Sequence, residues 1–231
     1  KERIPRFSSG ILLEREEEKQ RLGGSNHLLG CTSMMPIQFW FIHKELKKMR
    51  IVAGKFRSRV IEAVDGDATR PTLDKVKEAV FSRIGPYFDG GEMLDLFGGS
   101  GNMSLEAISR GISHSILCDI HGKAIATIRR NIKTLGIQQN CEIWKMDYKK
   151  ALAAASEQGR KFDLVYLDPP YQKQQIDWIL TYLEEHDLLS SGADVVCESL
   201  KEDSFKEYYG TLEQVKDATY GITRITYYKK R

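Results

Sequence analysis

The sequence predicts an α/β fold on a mostly parallel sheet, closed by an antiparallel C-terminal hairpin and preceded by a small β-hairpin and a helix. Three observations predict it. Short apolar runs alternate with helical-period stretches from residue 93 to 199, the pattern of parallel strands joined by crossover helices. The last two apolar runs, 212–215 and 222–228, have only turn-like residues between them, too few for a crossover. Ahead of the alternation, two short β-type runs flank a glycine and lead into one amphipathic segment.

Residues 1–48 read differently from the rest. They hold nine Lys or Arg against six Asp or Glu, which leaves 26 of each sign for residues 49–231. The stretch Glu14-Arg15-Glu16-Glu17-Glu18-Lys19-Gln20-Arg21 is nearly all charge, and Gly23-Gly24-Ser25-Asn26 breaks any period. Ile11-Leu12-Leu13 runs straight into acids and is too short for the apolar core of a signal peptide. The expectation is a peripheral extension over 1–48, with Met49 a natural start for the body. Its apolar string Ile37-Gln38-Phe39-Trp40-Phe41-Ile42 is the segment suited to packing or a partner contact.

From Met49 the elements follow in order. Residues 50–53 and 58–64 are expected as strands around Gly54-Lys55-Phe56. Arg50, Lys55, Arg57 and Arg59 fall in a stretch, 50–61, that contains no acid, so this hairpin can attract nucleic-acid phosphates as readily as it can be an ordinary solvated surface. Thr72 can cap a helix whose apolar positions Leu73, Val76, Val80 and Ile84 recur at spacings of three, four and four, ending before Gly85-Pro86. Hairpin and helix make a unit over 49–91, and 92–231 is the sheet domain. Its strands are expected at 93–97, 115–120, 141–146, 162–168 and 193–199, with helices near 102–110, 123–135, 148–157 and 174–185.

Composition excludes several classes. With 41% hydrophobic and 29% charged residues the chain is too apolar for a disordered protein and too charged for a membrane one. No apolar run approaches the ~20 residues needed to span a bilayer. Cys31, Cys118, Cys141 and Cys197 form no C-x-x-C pair, so no zinc site or disulfide framework is expected, and reduced thiols suit a cytoplasm.

The first chemical signal is Asp95-Leu96-Phe97-Gly98-Gly99-Ser100-Gly101, an acid in a strand followed by a glycine turn and a helix. Glycines let a ligand approach the backbone closely, and open α/β sheets bind ligands at the carboxyl ends of their strands. A nucleoside-containing cofactor is implied. The register Gly99-Ser100-Gly101-Asn102-Met103-Ser104 ends in serine where a dinucleotide fingerprint needs Gly or Ala, and no Gly-Lys-Ser/Thr follows for a P-loop. Asp119, at the end of the next strand, can accept two hydrogen bonds from a ribose diol, and Asp147, after the third, can accept from an adenine amine. For each acid, a capping or surface role is the alternative.

The second signal is Asp168-Pro169-Pro170-Tyr171, delivered by the apolar strand before it to the same sheet edge. Two prolines fix two φ angles and remove two donors, so the turn offers carbonyl oxygens from a rigid frame. That frame suits an NH₂ group: Asp168 and the Pro169 carbonyl can hold the hydrogens of a nucleobase amine, and Tyr171 can stack on the base for about 1–3 kcal/mol.

Together these motifs resemble those of class I S-adenosylmethionine-dependent amino-methyltransferases, which implies a Rossmann-like sheet and S-adenosylmethionine as cofactor. More closely, Arg50-Ile51-Val52-Ala53-Gly54-Lys55-Phe56-Arg57-Ser58-Arg59, Arg70-Pro71-Thr72, Lys77-Glu78-Ala79-Val80-Phe81 and Ser104-Leu105-Glu106-Ala107-Ile108-Ser109-Arg110-Gly111 resemble the bacterial family that methylates guanine N2 in 16S ribosomal RNA. The resemblance covers 49–231. It departs at Gly98, where alanine is usual, at Asp119, where glutamate is commoner, and at Lys77, where arginine is usual. It implies that Arg70 and Thr72 line the methionine end of the cofactor, although Thr72 can equally serve only the helix start. It also implies direct methyl transfer without a metal. The expected substrate is 16S ribosomal RNA, within a small subunit or its assembly intermediate, and the expected form is a monomer away from membranes. Asp168-Pro169-Pro170-Tyr171 does not itself distinguish bases, so a DNA adenine or cytosine amino-methyltransferase is the runner-up. A nicotinamide oxidoreductase or a noncatalytic RNA-binding module are further alternatives.

Overall fold

The strand and helix alternation arises because each β-type run buries one residue set on each face of a sheet, and each amphipathic stretch covers one face. The computed structural model describes residues 48–64, 72–170 and 175–231. In chain order its elements are β1 (Lys48–Arg50), β2 (Val60–Glu62), α1 (Thr72–Ile84), β3 (Glu92–Asp95), α2 (Asn102–Ser109), β4 (His114–Cys118), α3 (Gly122–Leu135) and β5 (Cys141–Trp144). They continue with α4 (Tyr148–Glu157), β6 (Phe162–Leu167), α5 (Ile176–Glu185), β7 (Leu189–Leu200), β8 (Tyr208–Tyr209), β9 (Leu212–Tyr220) and β10 (Thr223–Lys230).

One eight-stranded sheet runs β5-β4-β3-β6-β7-β10-β9-β8. The first five are parallel to their neighbours, and β10 lies antiparallel to both β7 and β9. Chain order reverses at β3: β4 and β5 extend the sheet to one side, and β6 returns to the other. A crevice forms at such a switch point, outside the carboxyl ends of the strands. Alternate residues feed two cores. Leu94, Val165 and Val195 face α4 and α5, whereas Met93, Leu164 and Val196 face the side of α1, α2 and α3. Among the described residues no helix is long and apolar enough to cross a membrane.

The N-terminal hairpin differs from its expected form. β1 stops at Arg50 and β2 begins at Val60, so the strands are shorter than 50–53 and 58–64. The reason is a competing acceptor. The N–H groups of Val52 and Ala53 donate to the Glu106 carboxylate of α2 at 2.7 and 2.9 Å, and that of Lys55 to the Ser109 carbonyl at 2.8 Å. The turn is docked on α2 rather than paired with β2. Gly54 sits at φ 81, and a Cβ there would lie 1.8 Å from the Ser109 carbonyl oxygen, so only glycine permits the contact. A buried cluster beneath completes the dock: Lys77 of α1 donates to the Arg50 carbonyl at 2.6 Å and to Asn102 Oδ1 at 2.8 Å, with Glu106 at 3.2 Å.

At the other end, β9 reaches Tyr220 rather than stopping at residue 215. Val215, Lys216 and Asp217 in its middle are exposed and interrupt the alternation, and pairing with β10 carries the strand past them. Gly221, at φ 65, opens the two-residue turn between β9 and β10. The short β8 was not legible either: it is two tyrosines that cover the sheet edge.

Candidate functional site

The glycine turn follows β3 and is tied to the end of β4. Gly98 N–H donates to the Cys118 carbonyl at 2.8 Å, Gly99 N–H to Asp119 Oδ2 at 2.9 Å and Gly101 N–H to the Gly98 carbonyl at 2.6 Å. Gly101 has φ 82 and stands at the N-terminus of α2, where a Cβ would press on Leu117 at 3.1 Å. Asp119 also accepts from His121 N–H at 2.8 Å, so it first shapes the turn and then offers its remaining acceptor sites to the cavity. Asp147 caps α4 by accepting from Lys149 N–H at 2.9 Å and lines the same cavity. The Phe97 and Tyr148 rings pack 5.7 Å apart beside it.

Asp95 is 2% exposed. Its Oδ2 accepts from Ser104 Oγ at 2.9 Å, while Oδ1 has no hydrogen-bond partner among the described residues. Burial pushes its carboxyl up to about 7; Ser104 and the Phe97 N–H partly offset this, and Asp119 adds to it. Asp95 therefore holds a proton in the folded protein that it has lost in the unfolded chain between pH 3.8 and about 7. The resulting stabilisation is complete below 3.8 and is lost as pH rises to about 7. Denaturation of the ligand-free protein at pH 5 and pH 8 is expected to show a loss on the order of a few kcal/mol, which Asp95→Asn removes. Parallel curves for the two proteins contradict the assignment.

The second turn follows β6. Because β3 and β6 are neighbours, with Asp95 opposite Tyr166, both turns open onto one cavity of about 1260 Å³. Asp168, Pro169 and Pro170 line it on one side, and Phe97, Gly98, Gly99 and Ser100 on the other. Asp168 is exposed and Pro169 buried. The structure thus brings together Asp95, Phe97 to Ser100, Asp119, Asp147 and Asp168 to Pro170, with Gly101 shaping the turn beneath. Arg70 and Tyr171 lie outside the described residues, as does the side chain of Thr72, the first residue of α1.

Arg50, Lys55, Arg57 and Arg59 are exposed on the docked hairpin. Arg50 is paired with Asp74 at 2.9 Å, and Arg59 donates to the Thr134 carbonyl at 3.1 Å. Two features escaped the sequence reading. Tyr166 donates to Glu198 of β7 at 2.6 Å, and both line the cavity. A glutamate after Val195-Val196-Cys197 in a buried parallel strand was the available signal. The second is Glu106, whose Arg110 partner at i+4 was visible but whose backbone clients were not.

Comparison with known proteins agrees with this fold. The family described as "Conserved hypothetical protein 95" matches residues 49–229. The "Putative rRNA methyltransferase YlbH" of Bacillus subtilis is 43% identical over 183 residues, covering 79% of this chain and 100% of that protein. The "Ribosomal RNA small subunit methyltransferase D" of Haemophilus influenzae is 30% identical over 156 residues, covering 67% and 80%. A solved structure, "Putative methyltransferase yhhF from Escherichia coli", superposes with TM-score 0.69 at 24% identity, over 80% of this chain and 99% of that one; it shows the class I methyltransferase fold. With the motifs, the strand order and the matched span in agreement, the chain belongs to the family described as conserved hypothetical protein 95, beside relatives named as ribosomal RNA methyltransferases.

Proposed function

We propose that the protein transfers a methyl group from S-adenosylmethionine to the exocyclic N2 amine of a guanine in 16S ribosomal RNA. One observation carries this reading: the glycine turn after β3 and the double-proline turn after β6 meet in a single cavity at the point where strand order reverses. The relatives' names support ribosomal RNA, and the small-subunit relative supports 16S.

The cavity fits the cofactor. Asp95 brings a buried carboxyl oxygen without a hydrogen-bond partner among the described residues, and Asp119 and Asp147 line the same space, an acceptor-rich lining suited to a cationic ligand with amine and hydroxyl groups. It does not suit a pyrophosphate, because the Gly99 N–H already serves Asp119 and the Gly101 N–H serves Gly98. This weighs against a nicotinamide dinucleotide. S-adenosylmethionine, when bound, supplies a methyl group activated by a sulfonium charge. Asp95, Phe97, Gly98, Gly99, Ser100, Gly101, Asp119 and Asp147 would hold it, with Arg70 and Thr72 toward its methionine end. Asp168 and the Pro169 carbonyl accept the hydrogens of the target amine, Pro170 keeps the turn rigid, and Tyr171 stacks on the base. Asp168 stabilises positive charge developing on that nitrogen.

Charge is divided between the cavity and the hairpin. The acidic cavity repels phosphate and admits a base removed from its stack, which costs least in an RNA loop. Lys55, Arg57 and Arg59, exposed on the docked hairpin, take the phosphates, joined by Arg50 of β1. Replacing Lys55, Arg57 and Arg59 together by Gln is expected to reduce the slope of log affinity against log salt by about 2 for single-stranded RNA. An unchanged slope in a filter-binding titration places the RNA elsewhere.

The same reading takes 1–48 as a peripheral extension, 49–91 as the hairpin and helix and 92–231 as the catalytic domain of a cytoplasmic monomer. The family match beginning at residue 49 supports the first of these boundaries. Loss of transfer on deleting 1–48 would contradict it. The function itself is tested by mass-spectrometric mapping of 16S ribosomal RNA from cells with and without the protein. One N2-methylguanosine is expected to disappear; an unaltered map refutes the reading.

A further inference from the structure

We infer that Glu198, oriented by Tyr166, selects guanine by accepting the hydrogen of its ring N1. This rests on the reading of the cavity as an amino-methyltransferase site and adds the residue that chooses the base.

The placement follows from register. β6 and β7 are parallel neighbours with Tyr166 opposite Val196 and Leu167 opposite Cys197, so Glu198 stands one step further, beside Asp168. Adjacent strands lie about 4.8 Å apart, so side chains from these two positions can converge on one base edge. Side chains alternate between faces. Val196 packs with Tyr166 on one face and Cys197 on the other, which returns Glu198 to the Tyr166 face. Tyr166 is 5% exposed and donates to Glu198 Oε2 at 2.6 Å. Burial, with the Glu198 charge second, holds the phenol well above its usual pKa, so it remains a donor and fixes the carboxylate. Glu198, Asp168 and Pro169 line the same cavity, and Glu198 lies on the side of Asp168 away from the glycine turn.

The chemistry of the bases then decides. A carboxylate only accepts, and it carries acceptor sites for several donors. In guanine the N2 amine adjoins the N1–H, a donor. In adenine the N6 amine adjoins the N1 lone pair, and in cytosine the N4 amine adjoins the N3 lone pair. An acceptor next to the one that holds the amine therefore attracts guanine and repels the other two. This separates guanine from the adenine and cytosine substrates that the Asp-Pro-Pro turn alone leaves open.

The test uses the full chain, labelled S-adenosylmethionine and undermethylated small ribosomal subunits. Glu198→Gln is expected to lower kcat/KM roughly 10- to 100-fold, with S-adenosylmethionine affinity unchanged. Tyr166→Phe, which keeps the carboxylate and loosens its orientation, is expected to cost less. A second readout is binding of RNA oligonucleotides carrying either guanine or 2-aminopurine, which keeps the amine but presents a lone pair at N1. Wild type is expected to prefer guanine, and Glu198→Gln, whose amide can donate to that lone pair, to lose the preference. An unchanged preference, or a parallel loss of cofactor affinity in the variant, overturns the inference while leaving the methyltransferase reading intact. Absence of transfer by the wild type overturns both.

Discussion

Asp168→Ala is expected to lower methyl transfer by roughly 10²- to 10³-fold while leaving S-adenosylmethionine affinity unchanged. The two effects separate because the two ligands belong to different strands. Asp95, Asp119 and Asp147 sit at or beyond the ends of β3, β4 and β5, whereas Asp168 follows β6 across the switch point. Asp168 is exposed at the cavity, so alanine there removes no buried side chain from the core. In the proposed reaction Asp168 contributes as an acceptor whose charge counters the developing cation. Asp168→Asn keeps one acceptor oxygen without the charge and is expected to fall between wild type and alanine. The measurements are initial rates with tritium-labelled S-adenosylmethionine and cofactor binding by calorimetry. Near-normal turnover in Asp168→Ala, or a matching loss of cofactor affinity, refutes the role.

How much of this was legible in the sequence depended on where each hydrogen bond goes. β3, β4 and β6 were readable because most of their residues are buried on both faces and run apolar, as in Leu164-Val165-Tyr166-Leu167. The positions of Asp95 and Asp168 at the ends of such runs placed the cavity. Where a segment bonds to something distant in sequence, the local pattern misleads. Val52 and Ala53 look like strand residues, yet their N–H groups go to Glu106, 54 and 53 positions away. Glu198 looks like an outward-facing residue until the register sets it beside Asp168. β9 loses its apolar period at exposed Val215-Lys216-Asp217, and pairing with β10 carries the strand through them.

The largest effect on stability is expected from Glu106→Gln. Glu106 is 0% exposed, and its two oxygens serve four donors: Val52 N–H at 2.7 Å, Ala53 N–H at 2.9 Å, Arg110 Nε at 2.9 Å and Lys77 Nζ at 3.2 Å. Burial lowers the Lys77 pKa, and Glu106 is the largest of the influences that raise it again. Glutamine keeps the shape but removes the charge and turns an NH₂ toward donors, leaving at least one backbone N–H without its acceptor and two buried cations, Lys77 and Arg110, without their shared carboxylate. Breaking a buried ion cluster this way costs about 3–5 kcal/mol, or roughly 10 °C in Tm for a domain of this size, readable by thermal denaturation. The damage should reach the site: the turn after β1 loses its mooring, and Met49 and Val76, which line the cavity, move with it. Cofactor affinity should therefore fall with Tm, unlike in Asp168→Ala. Lys77→Met added to Glu106→Gln removes one stranded cation, so the double variant should be less destabilised than the sum of the single ones. Additive losses, or a Glu106→Gln cost below about 1 kcal/mol, mean that packing between α1 and α2, rather than this buried charge, holds the hairpin over the cavity.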